Sequence, residues 1–313
     1  MIIRTIDAHA AGGPLRLVVD GFPAPRGKTM LEKLEWASRH AGDLRRALIL
    51  EPRGHADMWG AVLTEPVSPG AHAGILFFHN DGFSSMSGLG VIAATKIALD
   101  RGLVMPGGDG STIVFDTPAG IVRATAAGDR VSFVNVPAYV LHAGVPVQLG
   151  PRLLRADVAC GGGCFAIVDA EAAGVSIDPA HAPELRRAGM AIRDAVSKVQ
   201  AVDGTVFTGP PHEAGADLRN AAVLADGAVD RSPCGAGTSA VMAVLDAMGL
   251  LGDDHPFVHE SIIGTRITGR LRGRTAVGES PAIVTEIAGD AWITGDHTFV
   301  VDERDPLKNG FRI

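Results

Sequence analysis

A short segment that occurs twice restricts the fold of this 313-residue chain more than any other feature. Residues 87–93 read Ser-Gly-Leu-Gly-Val-Ile-Ala, and residues 234–240 read Cys-Gly-Ala-Gly-Thr-Ser-Ala, 147 positions later (234 − 87). A Gly-Leu pair follows each copy at the same distance, as Gly102-Leu103 and Gly249-Leu250. A looser similarity pairs residues 116–122 with 279–284 in the same order. These repeats predict one architecture used twice.

The length of the chain fits such a division, because single cores stop growing beyond about 250–300 residues. The predicted lobes are residues 1–125 together with 290–313, and residues 126–289. Hydrophobic residues make up 46% of the chain and charged residues 20%, which is enough apolar material for a substantial core.

Short apolar runs bounded by Gly, Pro and Asp occur between helical patterns, and this arrangement predicts a mixed α/β fold. The predicted strands are Leu15–Val19, Ala47–Leu50, Gly74–Phe78, Thr112–Phe115, Val131–Val136, Phe165–Val168, Ala221–Leu224 and Ala282–Ile287. The predicted helices are Met30–His40, Ser87–Arg101, Pro183–Gln200 and Cys234–Met248.

Charge and hydropathy argue against several classes of partner. The 28 Lys and Arg residues against 35 Asp and Glu residues give a net charge of −7, without the basic stripe that nucleic-acid binding requires. The first residues lack the apolar core of a signal peptide, and no apolar run approaches the length of a membrane span. Three cysteines cannot form a disulfide framework, and their odd number fits a reducing compartment. We therefore expect a cytoplasmic protein that binds neither membrane nor nucleic acid.

Each copy of the repeat places Gly-x-Gly at the start of a predicted helix, after a polar loop. The N–H groups of a first helical turn have no intrahelical partner, and the helix dipole is positive there, so this segment suits an anion such as a carboxylate. A cysteine at a helix start is predicted to have a lowered thiol pKa, which would make Cys234 partly thiolate near neutral pH. A thiolate beside a bound carboxylate is a candidate base for the adjacent carbon.

The duplication predicts a pair of chemical groups. If the two helix starts face one another across a cleft, Ser87 and Cys234 lie on opposite faces of one bound molecule, as in a two-base enzyme. The alternatives are that Cys234 is a buried helix-capping residue and Ser87 an ordinary N-cap.

Three other patterns carry less weight. Residues 88–93 fit the dinucleotide fingerprint G-x-G-x-x-A, but no strand leads directly into the glycines. Cys160 and Cys164 lack a second ligand pair at finger-like spacing, so a turn between strands is favoured over a metal or redox pair. Pro256 lies between His255 and His259 and disrupts a helical zinc-binding face. No metal and no cofactor is expected.

Motifs spread along the chain resemble those of the proline racemase family, which includes 4-hydroxyproline 2-epimerases and trans-3-hydroxy-L-proline dehydratases. The resemblance covers nearly the whole chain. Its most specific motif is Asp230-Arg231-Ser232-Pro233-Cys234-Gly235. The other matching motifs are Asp7-Ala8-His9 with Gly12-Gly13-Pro14-Leu15-Arg16, Glu51-Pro52-Arg53-Gly54-His55-Ala56-Asp57-Met58, residues 79–90, Thr117-Pro118-Ala119-Gly120, residues 204–211, Glu260-Ser261-Ile262-Ile263-Gly264-Thr265, Ile293-Thr294-Gly295 and Asp305-Pro306-Leu307.

The resemblance implies two pseudo-symmetric lobes of the diaminopimelate-epimerase type, each a curved sheet around a central helix, and catalysis without a cofactor. It places Ser87 at the first catalytic position and Cys234 at the second, and Asp230 where the family contacts the substrate amine. The pairs Gly88-Leu89 and Gly235-Ala236 match the family's carboxylate-binding pairs. A homodimer is a further expectation from the family.

The departures from the family pattern concern the same positions. Racemases and epimerases of the family carry Cys at both catalytic positions, whereas position 87 is Ser, and a hydroxyl is far less acidic than a thiol. Leu89, Ala236 and Ala10 each replace a polar residue of the family. Each change removes a polar group from the expected pocket.

Three hypotheses about function follow. The first is an enzyme that removes the Cα proton of a proline-like amino acid with Cys234 as base, with dehydration of trans-3-hydroxy-L-proline as the favoured outcome and hydroxyproline epimerisation as a side activity. The motifs at residues 51–58 and 204–209 resemble the dehydratase branch. The second is 4-hydroxyproline epimerisation or proline racemisation. The third is a family member without these activities that binds a small carboxylate.

Overall fold

The computed structural model describes residues 1–108 and 110–312, which form two compact units of mixed α/β structure. The first unit is Met1–Phe133 together with Asp290–Ile313, and the second is Val134–Gly289. Within the described residues, every helix is too short or too polar to cross a lipid bilayer.

Among the described residues, the chain up to residue 134 forms eight strands and three helices. In chain order they are β1 (Ile2–Ala10), β2 (Gly13–Asp20), α1 (Met30–His40), α2 (Gly42–Ile49), β3 (Trp59–Thr64), β4 (Ala73–Phe78), β5 (Phe83–Ser84), α3 (Gly88–Asp100), β6 (Thr112–Thr117), β7 (Gly120–Ala127) and β8 (Arg130–Val134).

These strands form one curved sheet around α3. The pairs β1–β2, β3–β4 and β6–β7 are antiparallel, whereas β2–β3 and β4–β6 are parallel. Residues 291–300 pair with β1 on its other side. The α3 helix is buried along most of its length and contacts β1, β2, β3 and β7, so it is the central helix of the sheet. The α1 and α2 helices pack with another set of apolar side chains, including Leu48 and Phe78.

The second unit contains the remaining elements. They are β9 (Ala138–Leu149), β10 (Arg152–Cys160), β11 (Cys164–Asp169), α4 (Ala170–Ala173), a 3₁₀ turn (Pro179–His181), α5 (Ala182–Val196), β12 (Gly204–Gly209), β13 (Leu218–Leu224), α6 (Gly235–Ala247), β14 (Phe257–Glu260), β15 (Arg266–Val277) and the first part of β16 (Ser280–Val300).

The strands of this unit close into a ring. Each strand from β9 to β16 pairs with the next, and these pairs are antiparallel except for β11–β12 and β13–β14, which are parallel. Ala282 and Ile283 of β16 then pair with Tyr139 and Ala138 of β9. The α6 helix contacts β9, β10, β11 and β15 and lies inside the ring, while α5 packs with α4 on an outer apolar cluster.

The same sequence of pairings occurs in both units, which confirms the predicted fold class. The α3 helix connects β4 to β6, and α6 connects β13 to β14, each time between two parallel neighbours. The looser similarity between residues 116–122 and 279–284 is not part of this repeat. The first range forms the β6–β7 hairpin, whose counterpart is β14–β15, whereas the second range begins the next strand. The interpretation of this looser similarity as part of the repeat was wrong. Gly, Pro and Asp are common in turns between strands, so two hairpins can share them without being equivalent.

One predicted strand is a helix. Residues 47–50 were predicted to be extended, but α2 occupies Gly42–Ile49. Leu44, Ala47 and Leu48 are buried and lie three and four positions apart, which places them on one helical face. A four-residue apolar run does not distinguish a buried helix from a strand by its periodicity.

Candidate active site

Cys234 is the N-cap residue of α6 in the second unit. Its Sγ accepts a hydrogen bond from the N–H of Gly237 at 3.4 Å, and its carbonyl accepts the N–H of Thr238 at 2.7 Å. Its own N–H donates to Ser232 Oγ at 3.2 Å. Only 8% of the residue is exposed. The thiol is therefore fixed at the positive end of the helix, next to first-turn N–H groups that have no acceptor within the helix.

The backbone of Cys234 is strained. Its φ is +56° and its ψ is 102°, although residues other than glycine rarely adopt a positive φ. Such a conformation costs about 1–3 kcal/mol and persists only where the surroundings enforce it. Sequence reasoning did not predict this strain.

Asp230 lies beside the thiol. Its Oδ1 accepts hydrogen bonds from the N–H of Ser232 at 2.9 Å and from Ser232 Oγ at 2.6 Å. The Cys234 thiol also hydrogen-bonds the Asp230 side chain. The structure thus places four of the predicted site residues in one cluster, namely Asp230, Cys234, Gly235 and Ala236.

The prediction of a thiolate at Cys234 was wrong for this state of the protein. Burial raises the pKa of the Cys234 thiol far above its usual value, and the negative charge of Asp230 raises it further. The N–H groups of Gly237 and Ala236 act in the opposite direction but do not offset these two effects. The helix start alone would favour the thiolate, but the sequence does not reveal the burial that outweighs it.

A cluster of buried polar side chains surrounds the carbonyl of Pro233, the residue before Cys234. The carbonyl of Pro233 accepts hydrogen bonds from Asn220 Nδ2 at 2.7 Å and from Thr238 Oγ1 at 3.0 Å. Thr238 Oγ1 is also 2.8 Å from His259 Nδ1. Burial lowers the pKa of His259 to about 3, so the imidazole is neutral. Sequence reasoning missed Asn220 and Thr238, and it considered His259 only as a zinc ligand. The available signal was Thr238, a polar residue where the first copy of the repeat has Val91.

The first unit carries the other copy of the helix start. Ser87 is the N-cap of α3, and its Oγ accepts the N–H of Gly90 at 3.2 Å. Its φ is −145°, an ordinary extended value. Gly88 begins the helix, and Leu89 is only 8% exposed. Ser87, Gly88 and Leu89 therefore lie together at an unstrained helix start.

The last glycine of each Gly-x-Gly segment is required by packing. A Cβ on Gly90 would lie 2.6 Å from the Phe77 ring, and a Cβ on Gly237 would lie 3.1 Å from the Val206 side chain and 3.2 Å from Cys234 Sγ. These glycines allow each helix to approach its sheet. This reason differs from the predicted one, which was access for a ligand.

Cys160 and Cys164 form a disulfide bond across the β10–β11 hairpin. The turn was predicted correctly, but the prediction of unlinked cysteines was wrong. Gly161 in this turn packs against the first turns of α6, where an added Cβ would lie 2.7 Å from Ser239 Cβ. Asn135 Nδ2 joins the two segments, since it donates to Gly161 O at 2.8 Å and to Ser239 Oγ at 2.9 Å. The disulfide-closed turn therefore supports the helix that begins at Cys234.

Comparison with known proteins is consistent with this architecture. The proline racemase family model matches residues 5–312. The trans-3-hydroxy-L-proline dehydratase of Bacillus cereus is 39% identical over 99% of this chain and 98% of its own. The proline racemase of Clostridioides difficile is also 39% identical, over 99% of this chain and 97% of its own. A crystal structure of a hydroxyproline epimerase from Agrobacterium vitis with bound trans-4-hydroxy-L-proline has a TM-score of 0.92 at 28% identity and covers 100% of this chain and 95% of that one.

Proposed function

Because the chain belongs to the proline racemase family, we propose that it removes the Cα proton of a proline derivative without a cofactor, with Cys234 as the base. The favoured reaction is dehydration of trans-3-hydroxy-L-proline. Asp230 holds the ring nitrogen, and the first-turn N–H groups of Gly235 and Ala236, with those of Gly88 and Leu89, hold the carboxylate. Ser87 serves as the opposing acid or as a hydroxyl that orients the substrate.

The observation that carries this proposal is the position of the Cys234 thiol. It lies at the start of α6, hydrogen-bonded to Gly237 N–H and next to Asp230. A carboxylate bound by the first-turn N–H groups brings the adjacent carbon next to Sγ. The ring nitrogen then reaches an acidic partner on the same loop. One cluster thus provides a base, an anion site and a cation site for an α-amino acid.

Substrate binding supplies the activation that the free protein lacks. In the unliganded protein, burial and the charge of Asp230 keep the thiol protonated. The ammonium group of the substrate pairs with Asp230 and neutralises that charge. The thiol pKa then falls, because the remaining charges around Sγ are helix N–H groups and the bound cation. The thiolate forms when the substrate is in place.

The single thiol favours elimination over inversion. Inversion at Cα requires one group that takes a proton from one face and another that returns it to the opposite face, and the Ser87 hydroxyl is a poor partner for a thiol. In trans-3-hydroxy-L-proline the Cα hydrogen and the 3-hydroxyl share one ring face. One base and one nearby proton donor therefore suffice: the C–H and C–O bonds break, water leaves, and the resulting enamine tautomerises to a cyclic imine.

A second candidate is 4-hydroxyproline epimerisation or proline racemisation. Two observations favour it: the proline racemase of C. difficile is as similar to this chain as the dehydratase of B. cereus, and the epimerase from A. vitis shares the fold over the full chain. In this case Ser87 returns the proton despite its weak acidity.

The test is incubation with separate isomers of proline, 3-hydroxyproline and 4-hydroxyproline in D₂O, followed by NMR. Dehydration predicts loss of trans-3-hydroxy-L-proline with formation of a cyclic imine. Epimerisation predicts the opposite isomer with deuterium at Cα. Thermal stabilisation by these ligands without deuterium incorporation or elimination would instead identify a protein that only binds small carboxylates, and it would refute both candidates.

A further inference from the structure

We infer that Thr238, Asn220 and His259 are positioning residues that hold Cys234 in its strained conformation by fixing the Pro233 carbonyl. Their effect on catalysis rests on the proposed function of Cys234, whereas their effect on the conformation of the thiol does not. All three side chains are completely buried in the second unit. They therefore act through Cys234 and not by contact with a substrate.

The peptide group between Pro233 and Cys234 is hydrogen-bonded at both ends. Its carbonyl accepts Asn220 Nδ2 at 2.7 Å and Thr238 Oγ1 at 3.0 Å. Its N–H donates to Ser232 Oγ at 3.2 Å. Hydrogen bonds at both ends prevent this peptide plane from rotating.

The peptide group on the other side of Cys234 is fixed by the helix. Its carbonyl accepts the N–H of Thr238 at 2.7 Å. Rotations about the N–Cα and Cα–C bonds of Cys234 set the orientation of one plane relative to the other, so fixing both planes holds φ at +56° and ψ at 102° together. A relaxed residue would leave this region. The observed conformation thus depends on the bonds to the Pro233 carbonyl.

His259 completes the buried contacts of the Thr238 hydroxyl. Its Nδ1 lies 2.8 Å from Thr238 Oγ1 and 3.4 Å from Asn220 Nδ2, so one imidazole nitrogen contacts both side chains that donate to the Pro233 carbonyl. Burial lowers the pKa of His259 to about 3, so the imidazole stays neutral beside them. The histidine that was considered for zinc therefore supports the capping loop.

The other helix start shows that such a group is not a general requirement of the fold. Val91 and Ile92 occupy the places of Thr238 and Ser239 in the repeat, and both are buried and apolar. Ser87 there has an extended φ of −145°. The buried hydroxyl of Thr238 thus accompanies the strained backbone of Cys234. At the helix start with an ordinary backbone, the equivalent position is the apolar Val91.

The experiment compares Thr238→Val with Thr238→Ser. Valine has the shape of threonine but cannot donate to Pro233, whereas serine can. We expect Thr238→Val to lower kcat for the reacting proline isomer by about 10- to 100-fold, with KM changed by less than about threefold. Thr238→Ser restores kcat. In a second assay without substrate, iodoacetamide alkylates Cys234 several times faster in Thr238→Val than in the wild type, because the released loop exposes the thiol.

Thr205→Val is the matched control. Thr205 is also fully buried in the second unit and donates to Gly189 O at 2.8 Å, away from Cys234. The Thr205→Val substitution removes a buried hydrogen bond but leaves those to the Pro233 carbonyl intact. We therefore expect kcat and the alkylation rate of Cys234 to remain at wild-type values. Thr238→Ala serves as a second variant if Thr238→Val does not fold.

Equal alkylation rates for Thr238→Val and the wild type would overturn the inference, as would a kcat loss of the same size in Thr205→Val. If the wild type exchanges no Cα proton with any proline isomer, the proposed function fails, but the alkylation comparison still decides whether these residues position the thiol.

Discussion

The two copies of the repeated helix start differ in what holds them. At α3, Ser87 caps the helix with an extended backbone, and the residues behind it are apolar. At α6, Cys234 caps the helix at φ +56°, and the buried side chains of Asn220 and Thr238 donate to the preceding carbonyl, that of Pro233. The fold is therefore duplicated, but the constraint on the capping side chain is not. We therefore propose the demanding chemical role for the second copy and an auxiliary role for Ser87.

The largest predicted effect is at Cys234. Cys234→Ser should lower the rate of Cα deuterium exchange by about 10²–10⁴-fold, the usual contribution of a general base. NMR in D₂O with the reacting proline isomer measures this rate. Ser87→Ala is the paired variant and should lose less. If Ser87→Ala loses as much activity as Cys234→Ser, the two helix starts contribute equally and the asymmetry does not describe the chemistry.

The second prediction concerns a variant that carries a thiol at both helix starts. Ser87→Cys provides a second thiol, so the rate of inversion relative to elimination should rise by about 10- to 100-fold, since a thiol exchanges protons with Cα more readily than a hydroxyl. Polarimetry follows inversion, and NMR follows elimination. Ser87→Thr retains a hydroxyl cap and is the control. An unchanged ratio in Ser87→Cys would show that more than the missing thiol separates this chain from an epimerase.

The third prediction concerns the packing of the β10–β11 turn against α6. In Gly161→Ala the added Cβ would lie 2.7 Å from Ser239 Cβ and 2.9 Å from Ala236 O. This overpacking should lower the free energy of unfolding by about 1–3 kcal/mol. Gly273→Ala is the matched control because a Cβ there has no neighbour within 4 Å. Urea denaturation measures both variants, and similar midpoints would contradict the close packing of the hairpin on the helix.

The smallest effect concerns pH. Burial first and then the charge of Asp230 raise the pKa of the Cys234 thiol in the folded protein above its ordinary value of 9.0. Below pH 9.0 the thiol is protonated whether the chain is folded or unfolded, and the stabilising contribution is complete. Above it, only the unfolded chain releases the proton, so the free energy of unfolding should fall by about 1.4 kcal/mol per pH unit.

Cys234→Ala isolates this contribution. Urea denaturation at pH 8 and pH 10 should show a steeper loss of stability in the wild type than in the variant, because other titrating groups are common to both. Parallel losses would mean that the folded thiol has an ordinary pKa and that burial does not control it.

Much of the architecture was predictable because it depends on local pattern. The repeat at residues 87–93 and 234–240 predicted two equivalent helices, and α3 and α6 confirm both. The family and its enzymatic character are likewise confirmed, since the motif at residues 230–235 is specific. The predicted strand at residues 47–50 was wrong because a short apolar run carries no period.

For the candidate site, the sequence supplies residue types but not their environment. Helix-start chemistry led to Cys234 and Ser87, and the family motif led to Asp230. The direction of the thiol pKa shift was wrong because burial depends on segments far apart in the chain. The disulfide was missed because cysteine counting does not reveal that β10 and β11 place Cys160 opposite Cys164.

The sequence by itself determined the duplicated plan and the family, and it nominated the candidate reactive groups, because these depend on residue types and their spacing. Only the tertiary structure decided how those groups behave. Asn220, Thr238 and His259 come from β13, α6 and β14 and lie together next to the Pro233 carbonyl. No pattern along the chain predicts that they are in contact. The strained backbone of Cys234 rests on those contacts, whereas the proton affinity of its thiol is set first by burial and then by the charge of Asp230. Burial depends on segments that only the folded chain brings together.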